Sequence, residues 1–155
     1  MKDRTLIRPI VRADLPTLKR VIASTDLFPP NMLEGMVEGY LNGASDAVVW
    51  LTFANPDPAA IAYAAPEPMT EGCWNLYLIA VHSDHHGQGI GQALMRYVEE
   101  ALAVEGVRVL LVETSGLPEM ARTRLFYSQC GYEEEARIRD FYQDGDDKIV
   151  FRKAL

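Results

Sequence analysis

Apolar positions recur along the chain in two rhythms, and the switches between them mark the elements. Thr5 to Ile10 predicts a short strand. Leu15, Leu18, Val21 and Ile22 then follow helical spacing behind Asp14 and Pro16, so a helix is expected to about Ser24 with Asp14 as its N-cap. Pro29-Pro30 interrupts the chain, and a second helix is expected from Met32 to Leu41, stopped by Asn42-Gly43. Ala47 to Phe53 and Ala59 to Ala65 read as strands on either side of the turn cluster Asn55-Pro56-Asp57-Pro58. Trp74 to Val81 is nearly all apolar, which suits a central strand covered on both faces. Beyond Gly89 the rhythm turns helical: Ile90, Leu94, Tyr97, Val98, Ala101 and Leu102 share one side until Gly106. Val107 to Val112 reads as another buried strand. Pro118 opens a helix that runs to about Gln129, with Gly131 past its end. Two last strands, Tyr132 to Ile138 and Lys148 to Lys153, flank the Asp144-Gly145-Asp146 turn.

The resulting order is β-α-α-β-β-β-α-β-α-β-β. A hairpin-rich first half feeds a central βαβ unit, which predicts a mixed α/β sheet with helices on both faces. With 155 residues and no repeat, low-complexity stretch or linker, the whole chain is expected to be one domain, 1–155. Apolar residues make up 48% of the chain, enough for an ordinary folded core without metal or disulfide support.

Charge and cysteines narrow the function classes. A formal charge of −7 argues against nucleic-acid binding, which needs a basic face, and mildly favours a cationic partner. Cys73 and Cys130 have no CxxC spacing and read as free thiols in a reducing compartment. The charged start Met1-Lys2-Asp3-Arg4 does not read as a signal peptide, and no apolar run approaches the roughly 18 residues that span a bilayer. A cytoplasmic protein without membrane partners is expected.

An acidic protein can still hold an anion locally, through main-chain N–H groups. The segment Val81-His82-Ser83-Asp84-His85-His86-Gly87-Gln88-Gly89-Ile90-Gly91 joins a buried strand to a helix, with glycines at alternate positions where the helix starts. Glycine there permits a tight turn and close approach of a ligand to the backbone. The first N–H groups of a helix lack internal partners and carry partial positive charge, so a phosphate fits them. The segment is not a P-loop, since no Gly-Lys-Ser/Thr follows, and its glycine spacing is not that of a dinucleotide fingerprint.

His86-Gly87-Gln88-Gly89-Ile90-Gly91 resembles the Arg/Gln-x-x-Gly-x-Gly/Ala signature of the GNAT family of N-acetyltransferases. Leu76 to Val81 resembles that family's fourth strand, and Leu125-Phe126-Tyr127-Ser128-Gln129-Cys130-Gly131-Tyr132 resembles its Tyr-x-x-x-Gly-Phe/Tyr segment. The resemblance covers nearly the whole element order. It implies the GNAT fold, a mostly antiparallel mixed sheet of about seven strands, and acetyl-coenzyme A as cofactor. It further implies that the backbone of Ile79, Ala80 and Val81 pairs with the pantetheine arm, and that N–H groups of His86, Gly87, Gln88, Gly89, Ile90, Gly91 and Gln92 hold the pyrophosphate. One departure is His86 in place of Arg or Gln. An ordinary imidazole is mostly neutral at pH 7, with a pKa of about 6.5, so weaker or pH-dependent coenzyme A binding is expected.

Acetyl transfer to an amine requires that the amine lose a proton, that the oxyanion be stabilised and that the leaving thiolate be protonated. The resemblance assigns Tyr127 as general acid, an ordinary phenol being protonated at neutral pH. It puts the oxyanion on a backbone N–H near Val81. Glu113 is the foremost candidate base, at the end of the fifth strand; Glu71 and His82 are alternatives, and so is ordered water. Arg137, Arg139 and Tyr142 are further candidates to line an acceptor pocket. The acceptor is expected to be the primary amine of a small molecule, attacked directly, with a protein N-terminus or a non-catalytic cofactor-binding module as the other readings. A monomer or homodimer is expected. The simplest readings elsewhere are packing for Trp50, Trp74 and Cys130, solvated surface for Glu133 to Glu135 and Asp144 to Asp147, and no metal at His85-His86.

Overall fold

The computed structural model describes residues 4–44 and 47–155; the charged start at Met1 to Asp3 lies outside them. Seven strands and four α-helices follow one another as β1 (Ile7–Pro9), α1 (Leu15–Thr25), α2 (Leu33–Leu41), β2 (Val49–Ala54), β3 (Pro58–Pro66), β4 (Cys73–Val81), α3 (Ile90–Val104), β5 (Val109–Ser115), α4 (Ala121–Gln129), β6 (Glu133–Gln143) and β7 (Asp146–Ala154). The sheet order is β1-β2-β3-β4-β5-β7-β6. The expected order of elements is therefore observed, in a mixed seven-stranded sheet. The chain forms two compact units whose boundaries fall at the end of β3 and within β4 and α3: Met1–Ala65 with Tyr77–Val98, and Pro66–Leu76 with Glu99–Leu155.

In the first unit, β1, β2 and β3 form an antiparallel meander. The apolar stripe of α1 (Leu15, Leu18, Val21, Ile22) and Leu33 and Val37 of α2 pack into one core with Trp50, Ile61, Leu78 and Ala80. Trp50 stacks on its cross-strand partner Tyr63, with ring centroids 4.0 Å apart. Pro16 lies in the first turn of α1, where its missing N–H costs nothing. Asp14 does stand at the N-cap position, but its side chain makes no cap bond. The carboxylate turns back instead, accepting from Val11 N at 2.8 Å and from both Arg8 guanidinium nitrogens at 2.8 and 2.9 Å. That bidentate pair holds the Asp14 carboxyl below the usual carboxylate range, the Arg8 hydrogen bonds being the main cause and burial opposing them.

In the second unit, Cys73–Leu76 of β4 runs parallel to Val109–Val112 of β5. β5 pairs antiparallel with β7, and β7 with β6. Tyr127 of α4 packs on Phe151 of β7, with centroids 5.7 Å apart, and on Tyr132. Glu99 ties the unit together by accepting from Tyr132 Oη at 2.7 Å and from Lys153 Nζ at 2.9 Å. Every residue of β6 is exposed, as befits an edge strand carrying Glu133 to Glu135 and Arg137.

The acidic run at the last turn differs from its expected role as solvated surface. Asp146 is buried and its carboxylate accepts from Ser115 Oγ. Asp147 accepts from Asp140 N at 2.9 Å and pairs with Arg137. Asp140 itself stands at φ 55° in an irregular stretch of the β6–β7 ladder, where its carboxylate accepts from Gly145 N at 2.8 Å. Asp140 and Asp147 satisfy backbone donors that the bulge would otherwise leave unpaired, and Asp146 takes a side-chain hydroxyl. Trp50 is buried as expected, whereas Trp74 and Cys130 are only half-buried.

Candidate functional site

The glycine-rich loop lies in the first unit, and its geometry follows from three local devices. The turn after β4 is fixed from outside: His82 N donates to Ala59 O at 2.8 Å and Ser83 N to Ser24 Oγ at 3.1 Å. A 3-10 turn over Ser83–His85 follows, with His82 Nδ1 accepting from Asp84 N at 3.1 Å. The chain then reverses through Gly87 and Gly89, at φ 78° and 80°, a conformation that side-chain-bearing residues resist. Neither glycine has an atom within 4 Å of where a Cβ would stand, so the space before the loop is open.

Ala93 is the first residue of α3 whose N–H returns to the loop, donating to Gly89 O at 3.1 Å. The N–H groups of residues 87–92 have no backbone acceptor among the described residues. Ile90 is buried and anchors the helix start, while Gly87, Gln88, Gly89 and Gln92 are exposed. An exposed set of unpaired N–H groups at the head of a 15-residue helix is what an anionic pyrophosphate requires.

His86, the residue that departs from the family signature, does not extend into that space. Its Nε2 lies 2.8 Å from Val81 O. A carbonyl only accepts, so Nε2 carries the hydrogen and the ring clasps the loop back onto the end of β4. Val81, Ala80 and Ile79 occupy the last residues of β4, Ala80 buried and the other two half-buried. The β4–β5 ladder stops at Leu76 and Val112. The main-chain groups of Ile79, Ala80 and Val81 lie past the end of that ladder, a place for the strand-like pairing a pantetheine arm would make.

The candidate chemical groups lie in the second unit. Tyr127 is buried on α4, and no partner for its hydroxyl occurs among the described residues. Burial, and then Cys130 and Tyr142, push that hydroxyl well above the ordinary phenol range. Glu113, expected at the end of β5, lies within it, opposite Val150 of β7. The strand continues to Ser115 because Thr114 and Ser115 still pair with Ile149 and Lys148. Glu113 Oε1 lies 3.0 Å from Lys148 Nζ, and its Oε2 accepts from Asn75 Nδ2 at 3.0 Å.

Sequence reasoning missed three members of this cluster: Asn75, Lys148 and Glu67. The available signal was a lone amide inside the otherwise apolar run Trp74 to Val81. Tyr142 was anticipated and is indeed close: burial and the Glu113 carboxylate raise its hydroxyl above the usual range. Arg137 is instead engaged by Asp147. Of the other candidate bases, Glu71 is exposed in a turn where its carbonyl accepts from Arg108 Nε at 3.0 Å, and His82 is taken up by its Asp84 N contact in the first unit. Burial, followed by Glu67, raises the Cys73 thiol above its ordinary range, which makes it a poor nucleophile. Among the described residues, no group of three or more His, Cys, Asp or Glu side chains could hold a metal, and no helix is long and apolar enough to cross a membrane.

Residues 45–134 match the family model for the acetyltransferase (GNAT) domain. None of the curated proteins matches the chain. Among solved structures, a GNAT-family protein from Desulfovibrio desulfuricans is 34% identical over 96% of this chain and 97% of that one, with a TM-score of 0.88. The ribosomal-protein-S18-alanine N-acetyltransferase of Escherichia coli is 21% identical over 96% of this chain and 92% of its own, with a TM-score of 0.75. An aminoglycoside 6'-N-acetyltransferase complexed with coenzyme A is 18% identical over 96% of each chain, with a TM-score of 0.76. These two lower identities establish likeness of fold.

Proposed function

The chain belongs to the GNAT acetyltransferases, enzymes that use acetyl-coenzyme A, and on that footing we propose that it acetylates the primary amine of a small molecule by direct attack. We read residues 1–155 as one catalytic domain in the cytoplasm. The observation that carries the donor side is the open loop of positive-φ glycines with its unpaired N–H groups. When bound, acetyl-coenzyme A supplies an activated acetyl group as a thioester.

The protein's own residues divide the remaining work. N–H groups from Gly87 to Gln92 bind the pyrophosphate, whereas the His86 N–H, expected to join them, donates to Ser83 O at 3.4 Å; main-chain groups of Ile79, Ala80 and Val81 hold the arm, with an N–H near Val81 facing the acyl oxygen. Glu113 accepts the proton that the acceptor nitrogen must shed. Tyr127, kept protonated by its burial, presents its own hydroxyl proton to the departing sulfur. Direct attack is favoured over an acetyl-cysteine route because the Cys73 thiol is held in its protonated form.

A panel of ethanolamine, 1,4-diaminobutane, tyramine and glucosamine, set against peptides with free N-termini, tests the reading through thiol released from acetyl-coenzyme A. Turnover is expected with small amines in preference to peptides. Turnover confined to peptides would replace it with protein N-terminal acetylation. Tight coenzyme A binding without turnover on any acceptor would leave a non-catalytic cofactor-binding module.

A further inference from the structure

Asn75 interrupts the apolar run of β4, and it is 1% exposed. Its Nδ2 donates twice, to Glu67 Oε1 and to Glu113 Oε2, each at 3.0 Å. Its Oδ1 is buried with no hydrogen-bond partner. The orientation of the amide is not free to relieve this. Turned over, it would set its carbonyl oxygen against two carboxylates, which only accept. A buried acceptor without a partner destabilises the fold, and a leucine of nearly the same shape would avoid that cost in a strand already built from Leu, Ile and Val. Retention of the amide points to what its donor end holds.

That end holds Glu113. Lys148 Nζ approaches Oε1 from β7 and Asn75 Nδ2 approaches Oε2 from β4, so the carboxylate is fixed at both oxygens. The lysine is itself held in place: its side chain is 14% exposed and its ammonium lies 4.1 Å from the centroid of the Phe141 ring. The other ionisable groups around Glu113 in this unit are Glu67, beyond the amide, and Tyr142 on β6. Each carboxylate oxygen retains acceptor capacity beyond one bond, so a group fixed in this way can still take a proton.

We infer that Asn75 is a positioning residue for acetyl transfer, orienting Glu113 through the Nδ2–Oε2 hydrogen bond. The inference rests on Glu113 being the base. Loss of the bond would let the carboxylate rotate away from the acceptor nitrogen. That lowers kcat while the KM for acetyl-coenzyme A and the melting temperature hold, a split that a merely structural amide would not produce.

The test compares wild type with Asn75→Leu, Asn75→Asp, Glu67→Gln and Glu113→Gln, using the amine of the panel with the highest kcat/KM. Asn75→Leu is expected to lower kcat about tenfold and leave the KM for acetyl-coenzyme A unchanged, while melting no lower than wild type. Asn75→Asp keeps the size but replaces the donor with a third carboxylate, so its kcat should fall further. Glu67→Gln leaves the Asn75–Glu113 bond in place, and its kcat should hold. Unchanged kcat in both Asn75 variants, with turnover abolished in Glu113→Gln, would overturn the positioning role and leave the base intact. Full turnover in Glu113→Gln would remove the base, and this inference with it.

Discussion

Replacing Tyr127 by phenylalanine separates packing from chemistry, because the two demands on this residue fall on different atoms. The ring packs against Phe126, Phe151 and Tyr132, with centroids 5.6, 5.7 and 6.4 Å away, and phenylalanine keeps all of that. The hydroxyl has no partner among the described residues, so its removal orphans no buried group. The expected change in folding stability is therefore within about 1 kcal/mol. The expected change in rate is much larger. A donor that acts only as the sulfur departs contributes about a hundred- to a thousandfold, or roughly 2.7–4 kcal/mol. Since the bond is absent in the ground state, kcat and kcat/KM should fall together and the KM for acetyl-coenzyme A should hold. Thiol release under saturating substrate gives the rates, and thermal melting gives the stability. Wild-type kcat in a folded Tyr127→Phe would remove Tyr127 from the mechanism. A drop in Tm with kcat intact would return it to packing alone.

Gly89→Ala tests the loop. At φ 80° a Cβ costs about 1 kcal/mol of strain, and the methyl group would enter the open space assigned to the pyrophosphate. Coenzyme A binding measured by calorimetry should weaken at least tenfold while Tm falls only slightly; unchanged affinity would place the pyrophosphate elsewhere. Asp14→Asn removes the charge that Arg8 grips, with an expected loss of about 1–3 kcal/mol at neutral pH by urea denaturation. The folded Asp14 carboxyl titrates below its unfolded value of about 3.9, so its contribution is complete above that pH and is lost as pH falls through the folded value. The gap between wild type and variant should accordingly close in acid, and a gap independent of pH would refute the ion pair as its cause. At the alkaline end, burial and the bond to Glu99 hold the Tyr132 hydroxyl far above the ordinary phenol range. Its contribution is intact below a pH of about 10 and is lost above it, as the unfolded phenol ionises first. Tyr132→Phe should lower stability at neutral pH and flatten the alkaline decline; an equally steep decline would assign it to other groups.

The apolar rhythm was enough to order the elements, because most helices and strands here bury a face and burial imposes its own period, the exposed edge strand β6 being the exception. The same rhythm failed wherever polar side chains serve the backbone. Asp14 has the residue type and position of an N-cap, yet Arg8 lies within reach of its carboxylate, and a bidentate ion pair outcompetes a cap bond. Asp140, Asp146 and Asp147 look like solvent-facing acid in sequence. The irregular β6–β7 register explains why Asp140 and Asp147 each meet a backbone donor, and the pairing of β7 with β5 brings Ser115 to Asp146. The loop from His86 to Gly91 was legible for the opposite reason: positive φ and close ligand approach select glycine at particular places, so the backbone requirement is written in residue type. His86 shows the limit of that logic. Its identity suggested a weaker substitute for a cationic side chain, but the position of its ring against Val81 O depends on how the loop turns after β4. The acceptor side was least legible of all. Glu67, Asn75, Glu113 and Lys148 come from four separate stretches of chain, and only the register of β4 on β5 and β5 on β7 brings the last three into line. Asn75 could have been singled out all the same: an amide in a strand of Leu, Ile and Val needs partners, and the two it finds are carboxylates whose separation it sets.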